Sequence, residues 1–273
     1  MRKFSLAYLT IPGVDPVNQI RIAAECGYDY VGLRTIPLGL PGEPEFRLQS
    51  DPRLFADVKK ALSDYDMSIL DIELARVRED LDVDAYEPAF EKAAELGAQA
   101  VLGSVWSRDS AYYTKTVAKV ADMAARYGLT YHIEFLTWAG IRNLKEDVAL
   151  IDALQRPNLY CMMDTLHAHR SRVTPDEVRA YPGRYFNMMH LCDGPAEIPE
   201  TIDHPEMLRV AREAREYAGM GGIDIAGYVR AMPEIPISIE LPNLRLMEQY
   251  GAEGHARLCL ETAKAYLKTH AVA

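Results

Sequence analysis

Short runs of β-branched and other apolar residues alternate with helical patterns along the whole of this chain, and few folds accommodate that. The runs are Phe4–Leu9, Tyr30–Arg34, Ser68–Leu74, Ala100–Ser104, Thr130–Phe135, Tyr160–Asp164, Tyr185–Leu191 and Ile237–Leu241. They read as continuous apolar stretches, as expected of parallel strands whose outer face is covered by helices. The helical patterns between them carry their own punctuation. Asp15-Pro16 and Asp51-Pro52 open helices, with an aspartate as N-cap and proline at the first helical position. Gly27, Gly97 and Gly128 stand where a left-handed residue closes one. Thr174-Pro175-Asp176-Glu177 is a capping box. The remaining helices are expected over Glu87 to Leu96, Thr114 to Tyr127 and Ala252 to Leu267.

Eight strand–helix units in 273 residues leave about 34 residues for each. That matches an α/β protein of the (β/α)₈ barrel type, folded as a single domain over residues 1–273. An open doubly wound sheet has the same alternation, but no Gly-rich GxGxxG follows the first strand. The longest irregular pieces, Pro37 to Ser50 and Cys192 to His204, each follow a strand and are candidates to cover a site.

Composition narrows the function classes. The chain carries 30 Lys and Arg against 40 Asp and Glu, and its longest basic run is Lys59-Lys60. A nucleic-acid binder needs a basic face to displace counterions, so no nucleic-acid partner is expected. No stretch approaches the roughly 18 apolar residues of a membrane helix, so no membrane partner is expected either. The cysteines Cys26, Cys161, Cys192 and Cys259 form no CxxC and suit reduced thiols in a cytoplasmic protein.

In a (β/α)₈ barrel chemistry sits at the C-terminal ends of the strands. The last four runs end in His132-Ile133-Glu134-Phe135, Met162-Met163-Asp164-Thr165, Met188-Met189-His190-Leu191 and Ser238-Ile239-Glu240-Leu241. A carboxylate among such neighbours is costly to bury alone, and convergence on one cation accounts for all four groups. Three carboxylates and one imidazole are a hard donor set, favouring Mn²⁺ or Mg²⁺, with Co²⁺ or Zn²⁺ also acceptable. His132 is expected to face the barrel interior on the same side of its strand as Glu134.

Glu134, the Asp164-Thr165-Leu166-His167 segment, His190-Leu191-Cys192-Asp193 and Ile239-Glu240-Leu241-Pro242 resemble the xylose isomerase-like TIM barrel family, in particular its sugar phosphate isomerase/epimerase group. The resemblance spans essentially the whole chain. It implies that Glu134, Asp164, His190 and Glu240 hold the metal, that Glu134 and Glu240 also exchange protons with a substrate carbon, and that His167 orients a substrate oxygen. One departure stands out. The segment after His190 reads Leu-Cys-Asp-Gly-Pro-Ala, so Ala196 stands where ketose epimerases carry an arginine.

Further residues fall where a substrate would sit: Arg34, Glu73, Trp106, Trp138, Arg170 and Arg212. Arginines near a metal suit a small-molecule substrate with an anionic group. Arg212 and Arg215 also lie in the charged run Arg209 to Glu216, which a solvated helix face would equally explain. The expected activity is a metal-dependent isomerase or epimerase acting on a sugar, sugar phosphate or related polyol or keto compound. The alternatives are a metal-dependent lyase of the 3-dehydroshikimate dehydratase type and a small-molecule-binding barrel without turnover. An endonuclease IV-like nuclease is disfavoured by charge and by Arg34 and Glu73 at its earlier strand ends. Homo-oligomerisation is compatible with a barrel of this kind.

Overall fold

The computed structural model describes residues 2–40 and 42–272, so Met1, Pro41 and Ala273 of the expected domain lie outside the described residues. Eight parallel strands close into a barrel in chain order: β1 Phe4–Leu6, β2 Tyr30–Arg34, β3 Ser68–Val77, β4 Ala100–Val105, β5 Thr130–Glu134, β6 Leu159–Asp164, β7 Phe186–Leu191 and β8 Ile237–Ile239. Closure comes from β1 pairing with β8, Ser5 opposite Ser238 and Leu6 opposite Ile239. Thr10 fastens the seam further up, donating its hydroxyl to Ile239 O and accepting from Leu241 N.

Helices surround the barrel: α1 Pro16–Cys26, α2 Pro52–Asp64, α3 Glu87–Glu95, α4 Ser110–Arg126, α5 Leu144–Leu154, α6 Thr165–Arg170, α7 Pro175–Ala180, α8 Pro205–Glu213, α9 Ile225–Ala231 and α10 Leu244–Thr269. The expected caps are made. Asp15 and Asp51 each accept two backbone N–H groups, and the Thr174–Glu177 box is reciprocal. Gly27 sits at φ 86°, a conformation a side chain would strain.

Several boundaries move. The first strand stops at Leu6 rather than Leu9, because Tyr8–Thr10 form a 3₁₀ turn that brings Thr10 to the seam. The fourth helix starts at Ser110, not Thr114, since Asp109 accepts from Ala111 N and Tyr112 N. The last helix begins at Leu244, capped by Asn243, with a break at Gly251. Most consequential is β3, which runs on to Val77 instead of ending at Leu74 and carries Arg76 to the rim.

Strand alternation separates two sets of side chains. Leu70, Ala100, Leu102, Met162 and Met188 form a cluster of their own, filling the barrel interior, while Cys161, Met163 and Met189 join the larger core beneath the helices. Asp164 and His190 follow Met162 and Met188 by two residues, so strand periodicity puts them at the top of the interior.

Candidate metal centre

Glu134, Asp164, His190 and Glu240 each offer one ligand atom, and those four atoms lie within 4.8 Å of one another. All four side chains are buried. His190 Nδ1 stands 3.5 Å from Glu134 Oε1, 3.5 Å from Glu240 Oε2 and 3.9 Å from Asp164 Oδ2. None of these contacts has hydrogen-bond geometry: both His190 nitrogens and Glu134 Oε1 are buried without a partner. Octahedral ligands at about 2.1 Å from a cation are about 3.0 Å apart when adjacent and about 4.2 Å apart when opposite. The 3.5–3.9 Å separations from His190 Nδ1, the hard donor set and the orphaned polar atoms fit a single divalent cation.

The carboxylates are oriented by the residues around them. Asp164 Oδ1 accepts from Leu166 N at 2.7 Å and His167 N at 3.0 Å, capping α6 and fixing His167 in its first turn. Its other oxygen, Oδ2, receives Arg215 Nη1 at 2.6 Å, and Arg215 Nη2 lies 2.7 Å from Glu240 Oε2. Arg215 is 2% exposed. The helical run ends at Glu213, so Arg215 is a buried residue of the irregular strap that follows rather than part of a solvated helix face. Asp193 holds that strap: Oδ1 accepts from Gly194 N and Ile223 N, and Oδ2 accepts from Gly219 N. Asn243 Nδ2 donates to Arg215 O from the other side. Gly221 is needed here, since a Cβ would fall 2.3 Å from Gly194 O.

Electrostatics follow this geometry. Burial alone would raise the Glu240 carboxyl, but the Arg215 guanidinium and the His190 ring outweigh it and hold Glu240 well below the usual carboxylate range. Burial opposes charge on His190, and the Glu240 and Glu134 carboxylates overcome it, raising the imidazole well above its ordinary value. His132 is fully buried as expected, with Nε2 2.9 Å from Thr130 Oγ1, and burial and then His190 push it down to about 3.

Asp71 also lies inside the barrel, with Oδ1 unpartnered, and burial followed by Glu73 pushes it up to about 7. The folded protein thus keeps a proton that the unfolded chain releases near pH 4. This stabilisation is full below about pH 4 and is lost as pH rises through about 7. At about 1.4 kcal/mol per pH unit, the displacement amounts to on the order of 4 kcal/mol. Asp71→Asn in chelator-treated protein is therefore expected to gain in Tm over the parent, by several degrees, between pH 5 and pH 8. A difference in Tm that stays constant across that range would contradict this assignment.

A cavity of about 110 Å³ is lined by Glu134 and Glu240 of the four. Arg34, Glu73, Trp106, Trp138 and Arg212 all line it, together with His167. Arg34 stacks over the Tyr8 ring at 4.6 Å and pairs with Glu73 at 3.2 Å. His167 packs edge-on against Trp138, with Nδ1 buried and unpartnered. Arg170 is placed elsewhere, correcting the expectation for it. It is buried at the C-terminal end of α6 beside the 195–206 segment, where it lines a separate cleft and donates to Glu197 O at 2.9 Å. Sequence reasoning missed Arg76, which lines the cavity from the extension of β3. The alternation Ala75-Arg76-Val77 is the pattern that would have revealed it.

Among the described residues no helix is long and apolar enough to cross a membrane. Residues 20–263 match the family model described as xylose isomerase-like TIM barrel. No curated protein matches. Among solved structures, the IolI protein with a bound zinc atom superposes with a TM-score of 0.81 at 17% identity, covering 98% of this chain and 99% of that one. D-allulose 3-epimerase from Methylomonas sp., in complex with D-allulose, gives 0.67 at 19% identity, covering 97% of each chain. A xylose isomerase-like TIM barrel/4-hydroxyphenylpyruvate dioxygenase fusion protein gives 0.76 at 19% identity, with 99% of this chain covering 45% of that one.

Proposed function

Because the chain belongs to the xylose isomerase-like TIM barrel family, we propose that it is a divalent-metal-dependent isomerase or epimerase. Its substrate is a sugar, sugar phosphate or related polyol or keto compound, and its chemistry is proton transfer at the carbon next to a chelated carbonyl. The observation that carries this reading is the convergence, within 4.8 Å, of four buried ligand-type atoms at the C-terminal ends of β5 to β8, two of whose residues, Glu134 and Glu240, line an adjoining cavity. Glu134, Asp164, His190 and Glu240 are the proposed ligands, and Mn²⁺ or Mg²⁺ the favoured ion; the zinc in the similar IolI structure keeps Zn²⁺ within range. When bound, the ion supplies Lewis acidity toward a carbonyl oxygen and an adjacent hydroxyl.

The protein supplies the proton transfer. β5 and β8 lie three strands apart around the barrel, so Glu134 and Glu240 approach a ligand from different sides. That arrangement lets one take a proton from carbon and the other return one, on the opposite face or at the neighbouring carbon. His167, with Nδ1 free and its ring braced by Trp138, is positioned to orient a substrate oxygen. The epimerase neighbour that binds D-allulose supports a sugar-like substrate.

A second reading is a lyase of the 3-dehydroshikimate dehydratase type, in which proton abstraction is followed by loss of hydroxide. Ala196 in place of an arginine, and a cavity lined by four other arginines, favour a ring-bearing acid over a free ketose. The test is wash-in of solvent deuterium at the α-carbon of ketoses, inososes and cyclic keto acids, with Mn²⁺ present. Exchange that EDTA abolishes is expected for at least one of them; none anywhere in the panel would leave a binding protein without turnover. Protocatechuate absorbance from 3-dehydroshikimate would identify the lyase, and no product would remove it for that substrate.

A further inference from the structure

The cavity walls set apolar side chains beside charged ones. Each hydroxyl buried there needs a hydrogen-bonding partner. About half of the lining is apolar, Leu9, Leu74, Leu102, Leu136, Trp106 and Trp138 among it; the Trp106 N–H is already donated to Ser104 Oγ at 2.9 Å, while the Trp138 N–H and His167 Nδ1 are buried without a partner. Two cations face the same space without a counterion. Arg76 is 8% exposed and donates Nη2 to Leu38 O at 2.6 Å, and it forms no ion pair among the described residues. Burial and the neighbouring Arg78 guanidinium both disfavour its charge, lowering its pKa. Arg212, on the last turn of α8, is exposed at the edge of the cavity and forms no ion pair among the described residues. The other two arginines of the cavity are engaged, Arg34 with Glu73 and Glu43, Arg215 with Asp164 and Glu240. A nearly buried guanidinium lacking an anion is unfavourable, and an oxyanion brought by a ligand meets its fork in bidentate fashion.

We propose that this cavity takes an anionic oxo compound with an apolar body. Its hydroxy-carbonyl end lies at the four ligand groups, its ring or chain lies against the leucines and tryptophans, and its carboxylate or phosphate is held by Arg76 assisted by Arg212. The proposal rests on the chelation reading above and narrows its substrate class.

Calorimetric titration of the Mg²⁺-loaded protein tests it with four probes: 4-(hydroxyacetyl)benzoate, 4-(hydroxyacetyl)phenyl phosphate, 2-hydroxyacetophenone and D-fructose. At least one anionic probe is expected to bind ten times more tightly than 2-hydroxyacetophenone, and D-fructose is expected to bind most weakly. The better of the two anions identifies carboxylate or phosphate as the natural group. Arg76→Ala should shrink the tenfold preference to less than twofold while leaving the neutral probe unchanged, and Arg76→Lys should restore part of it. Arg212→Ala should weaken it by a smaller factor. Equal binding of neutral and anionic probes, D-fructose binding most tightly, a preference that survives Arg76→Ala, or no binding by any probe would each overturn the proposal. If circular dichroism shows Arg76→Ala unfolded, the ranking in the parent and the Arg212→Ala result decide. Repeating the titration after EDTA separates the two levels. An anion preference that persists while the neutral hydroxyketone binds equally well without metal would sink chelation and leave the anion clamp standing.

Discussion

Glu240→Gln is expected to lower solvent-deuterium exchange at the substrate carbon by about 10²–10⁴-fold, the range associated with a positioned acid–base group. A carboxamide neither accepts the proton nor contributes charge to a cation. It also withdraws the anion that faces Arg215 Nη2 at 2.7 Å and His190 Nδ1 at 3.5 Å. Glu134→Gln is expected to fall in the same range, since Glu134 Oε1 points at the same centre with no other partner. NMR of the exchanging C–H signal in Mn²⁺-saturated protein reads the rate directly. Exchange at the parent rate in either variant would remove that residue from the proton-transfer pair.

Arg215→Met carries the second large effect, and it is one of stability. The side chain is fully buried, and its removal leaves the Asp164 and Glu240 carboxylates facing each other without their guanidinium. Breaking a buried pair in this way costs about 3–5 kcal/mol, which for a chain of this size is a loss of roughly 10 °C in Tm. Saturating Mn²⁺ should return part of that loss, because a cation held by the same carboxylates stabilises the folded state by mass action. Arg215→Lys should be intermediate, since an ammonium keeps the charge but not the two-pronged geometry. An unchanged Tm in the metal-free Met variant would show that the carboxylates do not depend on Arg215.

The barrel was legible in the sequence because its rules are local. Apolar runs announce parallel strands, and Asp-Pro openings and closing glycines mark helix ends whatever packs around them. The four ligand-type residues were legible for the same reason: each stands at the end of an apolar run, and Asp164 and His190 follow by two residues the methionines that fill the barrel interior. Arg215 was not legible, because its burial depends on a strap clamped between Asp193 and Asn243 from distant parts of the chain. The local charge pattern Arg209 to Glu216 says only that the segment is polar. Arg170 misled in the opposite sense. It stands six residues after Asp164, yet at the far end of α6 it lines a different cleft. Arg76 lies beyond the apolar run that ends at Leu74, and the three further residues of alternation to Val77 place its cation on the cavity wall instead of in a loop.

Everything proposed for the chemistry depends on a divalent ion seated among side chains from the last four strands. Protein stripped with EDTA and titrated with Mn²⁺, with the free ion followed by electron paramagnetic resonance, addresses this directly. One tightly held Mn²⁺ per chain is expected for the parent, and a loss of at least a hundredfold in affinity for His190→Gln. An absence of tight binding in the parent, or binding that His190→Gln leaves intact, would contradict it.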